Sequence, residues 1–386
     1  YITYYIPFLT WIWQYRWIFV KGDLIAAITM ASFYVPMALS YAANLGHIPP
    51  INGLYSFAFN PIVYAIFGSS PLMIVGPEAP GSLLVGSMVR SCIDHGDIPD
   101  DDIASHALVA GVVTSLAGAI ILISGLCRIG FLDSVLSKPF LRGFISAIGI
   151  VIAVDQLIPE MGLAGLADSS GDVSHRSTTS KLRFIFTHAH QASGLTCSVA
   201  AVSFFSIMFF REVKKRTQAR YPSTVYIPDR FLIVLLSTLL TWQLRLDLKG
   251  LEILGESKSN MTSTFAFHWP FTLGNFRLIE KSLSTSLSVA LLGFFESSVA
   301  AKSLSTYGDK NGGIQGMALS PNRELVALGL ANLTGGSFCA LPAFGGYGRS
   351  KVNISTGGKT PMSSIFLSLI TIISILYFLP LFFYLP

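Results

Sequence analysis

The sequence predicts an all-α, polytopic membrane protein of transporter type, and three observations carry that prediction. Charged side chains make up 12% of the 386 residues and apolar ones 52%, where a soluble domain carries about 25% charge. Apolar stretches recur at the length a membrane-crossing helix needs, about 20 residues. Two of those stretches are too short to cross alone, and each begins at a glycine step that follows an extended run.

The composition also excludes classes. The formal charge of +5 sits in short loops, without aromatic residues interleaved in a basic groove, so it reads as membrane topology and not as a nucleic-acid surface. The mean hydropathy of +0.59 is high, and lipid admits only backbone that satisfies its own hydrogen bonds. Cys92, Cys127, Cys197 and Cys339 form no CxxC pair and read as small core residues. The chain carries no nucleotide-binding loop, no HExxH and no GxSxG, so no enzyme, metal or cofactor is expected.

In chain order, residues 1–19 are aromatic and short of charge and read as an interfacial segment. The expected spans are 24–45, 52–69, 77–92, 104–126, 139–158, 195–210, 230–246, 280–302, 323–338, 346–356 and 361–380. Arg211, Lys214, Lys215, Arg216 and Arg220 follow the sixth span, and Asp94, Asp97, Asp100, Asp101 and Asp102 follow the third. The basic loop is therefore expected in the cytosol, with the N-terminus. The polar stretch 159–194 is expected to be a mobile loop, and 247–279 an extracytosolic one with a sequon at Asn260. The sequons at Asn332 and Asn353 fall within spans.

The two short stretches, beginning at Gly76-Pro77 and Gly345-Gly346, follow Leu72 to Val75 and Cys339 to Phe344. A helix N-terminus carries about half a positive charge and four free N–H groups. Two such ends aimed at the bilayer midplane make a polar site inside lipid, the device of inverted-repeat transporters. The alternative is that the glycine steps merely kink two ordinary helices. Ionisable residues within spans mark function, and three stand out: Glu78, Glu296 and Arg349. The plainer roles are a helix-capping carboxylate for Glu78, a structural ion pair for Glu296, and for Arg349 a partner to one of those glutamates.

At these residues the sequence resembles the SulP, or sulfate permease, family. The segments that carry the resemblance are Lys21 to Thr29, Pro36-Met37-Ala38-Leu39-Ser40-Tyr41-Ala42, Pro49-Pro50 with Gly53-Leu54-Tyr55, Asn322 to Asn332, and Gly348-Arg349-Ser350-Lys351-Val352-Asn353. The resemblance implies a 7+7 inverted-repeat fold of core and gate, with the third and tenth spans as half-helices and the substrate between them. It divides this chain into a first repeat at 20–246 and an incomplete second repeat at 280–386. Three further spans and a cytosolic STAS domain are then expected outside the sequence given. A homodimer is the family expectation.

The resemblance also implies anion transport, yet three positions depart from the pattern. Met37 stands where the family has glutamine, Gly348 where it has a hydroxyl, and Glu78 where it has a small neutral residue. An ionised Glu78 about 4 Å from an anion would repel it by roughly 4 kcal/mol near a protein surface. The Gly-Pro-Glu step resembles a fungal SulP-like branch linked to vacuolar storage of basic amino acids. The expected function is thus a proton-coupled carrier of arginine or lysine in a vacuolar membrane. The substrate residues are Glu78, Ala79, Met37, Tyr41, Tyr347, Gly348 and Arg349, and the proton sites Glu296 and Glu78. The alternatives are a proton-coupled sulfate or related anion transporter, with the plasma membrane as a further location, and a non-transporting sensor or motor. Asp23 is expected to cap the first span, Lys351 to pair with a glutamate or reach the cytosol, and the runs Gly111 to Gly118 and Gly329 to Gly336 to permit close helix contact.

Overall fold

The computed structural model describes residues 2–100, 102–131, 138–169, 177–218, 221, 229–251, 253, 265–308, 314, 317, 319–379 and 383–384. The apolar runs become helices in the expected order. They are α1 (Trp17–Ser40), α2 (Pro50–Phe67), α3 (Ala79–Asp94), α4 (Ile103–Leu126), α5 (Lys138–Glu160), α6 (Gly194–Gln218), α7 (Asp229–Leu244), α8 (Phe276–Gly308), α9 (Pro321–Ser337), α10 (Tyr347–Ser355) and α11 (Met362–Ile373). Proline opens α2 and α9, where its missing N–H costs nothing. Both α1 and α11 run on into a π-helical turn, Tyr41–Leu45 and Ser374–Phe378. Among the described residues, four helical stretches are long and apolar enough to cross a membrane: Trp17–Leu45, Ile103–Leu126, Gly194–Gln218 and Leu273–Leu304.

Among the described residues there are also two strands, β1 (Val75–Pro77) and β2 (Ala343–Gly345), paired antiparallel with Val75 opposite Gly345 and Pro77 opposite Ala343. The glycine steps are therefore not kinks. Gly76-Pro77 belongs to β1, and the first half-helix starts two residues later than expected, at Ala79.

The chain folds as two compact units, Tyr1–Leu136 with Ser257–Leu379, and Ser137–Glu256 with Pro380–Pro386. In the first, α4 and α9 cross over the two glycine runs. A methyl group on Gly118 would lie 2.7 Å from the Leu333 nitrogen and 2.9 Å from the Gly329 oxygen; on Gly329 it would lie 2.6 Å from the Leu122 nitrogen. Val109, Val113 and Ala117 of α4, Leu325 and Leu328 of α9, and Val289 and Phe294 of α8 fill the core around the crossing. At the other end of the unit, Asp23 is fully buried and accepts from the Lys359 and Thr360 backbone N–H groups at 2.8 and 3.2 Å. It lies inside α1, six residues past its start, so it ties the loop before α11 instead of capping its own helix. That loop turns at Gly357, whose φ of +104° favours glycine, and whose backbone abuts Gly22 of α1.

The second unit has its own small core of Val154, Ile158, Leu163, Ala167, Phe184 and Ile185. It corrects one expectation: within 159–194, residues Thr178–His188 form a helix. Lys181 on that helix meets Asp155 of α5 at 2.7 Å, both side chains nearly buried. Asn260 lies outside the described residues. In the N-terminal segment Trp11 is fully buried and donates to the Ala65 carbonyl at 3.0 Å, while Trp13 and Trp17 are exposed.

In the connection between α3 and α4, outside the spans, Asp97 accepts a hydrogen bond from Lys281, near the start of α8. That hydrogen bond holds the Asp97 carboxyl below the usual carboxylate range. A depressed pKa contributes stability that is present above the ordinary value and lost as pH falls through the depressed one. Asp97→Asn is expected to lower the melting temperature slightly at pH 7 and by less at pH 3. An equal shift at both pH values would count against the bridge.

Candidate functional site

The site is built on the β1–β2 crossing. Extended backbone at membrane depth must find partners within the protein, and short polar side chains in otherwise apolar helices supply them. The Asn332 amide donates to the Ala343 carbonyl and its oxygen accepts from the Ala343 N–H, both at 2.8 Å. Asn353 donates to the Leu72 carbonyl at 3.2 Å. Ser350 Oγ accepts from the Ile74 N–H at 3.0 Å, and Ser297 Oγ from the Gly345 N–H at 2.9 Å. Asn52, Ser56 and Thr114 donate to the carbonyls of Cys339, Leu341 and Ala340. Sequence reasoning missed this set, although its signal is legible: single Ser, Thr and Asn residues in apolar runs, the two sequon asparagines included.

Each strand hands directly into a half-helix, β1 through Glu78 into α3 and β2 through Gly346 into α10. Antiparallel pairing of the strands thus brings the two N-terminal ends to one place. In α10 the first-turn N–H groups of Tyr347, Gly348 and Arg349 have no acceptor within the helix. In α3 the second of the three positions is Pro80, which has no N–H.

Glu78 and Arg349 meet. Arg349 Nη2 donates to Glu78 Oε1 at 2.6 Å, which realises the plainer role for Arg349, a partner to one of the glutamates. Glu78 occupies the N-cap position of α3 but makes no capping hydrogen bond, so the capping role for it is set aside. Arg349 is 4% exposed. Its Nη2 also reaches the carbonyls of Gly76 at 3.0 Å and Phe344 at 3.1 Å, and its Nη1 that of Pro77 at 2.5 Å. The guanidinium lies over the rings of Phe57 and Tyr34, 5.5 and 5.7 Å from their centroids. Its Nε is buried without a partner. Gly346 is packed against both charged groups: a Cβ there would lie 2.5 Å from Glu78 Oε1 and 2.8 Å from Arg349 Nε.

The remaining expected residues surround this pair. Tyr41 begins the π turn of α1, a feature that often marks functional positions, and it lies within electrostatic reach of Glu78, Arg349 and Glu296. Met37 is half-buried one turn earlier on the same face. Ala79 is buried at the start of α3, Tyr347 is 41% exposed at the start of α10, and Gly348 faces open space. Glu296 of α8 is within electrostatic reach of both Glu78 and Arg349, and its Oε2 is buried with no hydrogen-bond partner. Lys351 is exposed and meets neither glutamate in the described contacts. A second buried carboxylate was not singled out as a site: Glu324 of α9 accepts from the Tyr64 hydroxyl at 2.7 Å, the Ser69 N–H at 2.8 Å and the Ser69 hydroxyl. It fastens the end of α2 to the start of α9.

Comparison with known proteins agrees with this architecture. Residues 20–386 match the description of the sulfate permease family. A Saccharomyces cerevisiae protein provisionally named a sulfate transporter is 38% identical over all of this chain and 49% of its own length. Sulfate transporter 3.1 of Arabidopsis thaliana is 29% identical over all of this chain and 55% of its own. The chain thus spans about half the length of these relatives. The mouse Solute Carrier 26 family member A9 anion transporter, in its inward-facing state, shares the fold with a TM-score of 0.82 at 21% identity, over 100% of this chain and 61% of that one. By the family match over nearly its whole length, and by its multi-pass helical fold, the chain belongs to the sulfate permease family.

Proposed function

We propose that the chain is the membrane part of a secondary transporter for sulfate or a related inorganic anion, working by alternating access, with the anion held at the two half-helix N-termini. The observation that carries the reading is the Glu78–Arg349 pair. An unpaired Glu78 would repel anions and favour a cationic substrate. A carboxylate neutralised at 2.6 Å by a buried guanidinium does not. The donors left at the site are the first-turn N–H groups of α10, the Tyr41 hydroxyl and the buried, unpartnered Arg349 Nε, all of a kind that suits an oxyanion. The names of the relatives favour the same substrate class. The basic amino acid reading becomes second, and the vacuolar location tied to it ranks with it; an anion carrier fits a plasma membrane equally.

We assign Glu296 the coupled proton, because a buried carboxylate oxygen without a donor is satisfied when it carries one. The 7+7 repeat, with residues 20–246 and 280–386 as its two parts, and a homodimer remain part of the reading. The test is uptake into proteoliposomes under an inward proton gradient, with sulfate and arginine compared. Sulfate uptake without arginine uptake is expected, and the reverse would overturn the reading. An electrical signal with no net flux of either would indicate a sensor or motor. In the same assay Glu296→Gln is expected to retain sulfate exchange and lose acceleration by the gradient; unchanged acceleration would remove Glu296 from the coupling step.

A further inference from the structure

The pair at the centre of the site has a consequence for which anions it accepts. We propose that Glu78 is a built-in counter-anion that sets the valence of the substrate: a monovalent anion binds with Glu78 charged, and a divalent one binds only with a proton on Glu78. This rests on the anion reading above.

The argument is one of charge matching. Each half-helix N-terminus contributes about half an elementary positive charge, so two together present about one. Arg349 adds one and Glu78 removes it. With Glu296 neutral, as assigned above, the site presents about one positive charge, the complement of a monovalent anion. A proton on Glu78 raises this to about two, the complement of sulfate. The groups that face Glu78 are Arg349 from α10, Tyr41 and, beside the guanidinium, Tyr34 from α1, and Glu296 from α8. Lys351, the next cation on α10, is exposed. Among these described groups, Arg349 is therefore the cation at the site, and Glu78 already occupies it.

Geometry supports the exchange. Arg349 is held by the carbonyls of Gly76, Pro77 and Phe344 independently of Glu78, so a neutral Glu78 does not release the guanidinium from its place. Its Nε has no partner. Glu78 is 24% exposed against 4% for Arg349, so the carboxylate is the member of the pair a proton reaches from solution.

The experiment is equilibrium binding of sulfate and of chloride to the full chain in nanodiscs at pH 7.5 and 5.5, for the unaltered protein, Glu78→Gln and Glu78→Asp. In the unaltered protein, sulfate is expected to bind about tenfold or more tighter at the lower pH, the size of one removed charge at this range, with chloride little changed. Glu78→Gln, which can still accept from Arg349, is expected to bind sulfate tightly at both pH values and to raise the sulfate-to-chloride preference at pH 7.5. Glu78→Asp keeps the charge and is expected to keep the original profile, which separates this effect from damage to the fold. The proposal is overturned if Glu78→Gln leaves the pH dependence and the preference as they were. Failure of both anions to bind the unaltered protein at either pH overturns the anion reading itself.

Discussion

Arg349→Ala is expected to destabilise the protein by about 3–5 kcal/mol, the range seen when one member of a buried ion pair is removed. The loss has two parts. Glu78 is left without its counter-charge, and the carbonyls of Gly76, Pro77 and Phe344 lose a shared donor. Anion binding is expected to fall with it, since the guanidinium fixes the strand ends from which both half-helices start. The control is a double-mutant cycle with Glu78→Ala, read by thermal unfolding in detergent. Removing both charges is expected to recover part of the loss, because no unpaired carboxylate then remains. Additive losses in the cycle would mean that the two side chains act independently.

The second large effect is expected at the α4–α9 crossing. Gly329→Leu places a side chain where the Leu122 backbone lies 2.6 Å from the first added carbon, and Gly118→Leu does the same against Leu333. Neither neighbour is a flexible tip; both are helix backbone, so the helices must separate. Overpacking in a core costs typically about 1–3 kcal/mol where side chains can adjust, and here they cannot, so the upper part of that range or beyond is expected. The measurement is the yield of monodisperse protein and its melting temperature. Gly348→Leu is the contrast, because nothing stands within 4 Å of that position. It is expected to leave the fold intact and to alter substrate binding alone. Equal damage from Gly329→Leu and Gly348→Leu would refute the crossing as the cause.

The helices were legible in the sequence because lipid imposes a length and an apolar composition that a linear reading detects. The glycine runs of α4 and α9 were legible for a similar reason: small residues at helical spacing have few other uses in a span. The half-helices were found from extended runs and glycine steps, but the pairing of β1 with β2 was not, since three-residue strands carry no periodicity. The helix Thr178–His188 was hidden in polar sequence, where its short apolar set of Leu182, Phe184 and Ile185 gives little pattern. The structure brings Glu78, Arg349, Glu296 and Tyr41 close together, but which of them pair is not legible in a linear reading. Glu78 and Arg349 are 271 residues apart, and composition does not say whether two opposite charges in lipid meet each other or a ligand. That single unknown decided the expected sign of the substrate.

The β1–β2 ladder also bears on how the protein is made. Val75 finds its partner at Gly345, about 270 residues later; Asn52 and Ser56 serve the run before β2, and Ser350 and Asn353 serve the run before β1. At about 5–20 residues per second of synthesis, the first run waits roughly 13–54 s for its partner. During that time its polar backbone lacks its final partners, so this run cannot reach its native pairing as it leaves the ribosome; the centre of the fold is completed only when the second strand has been made.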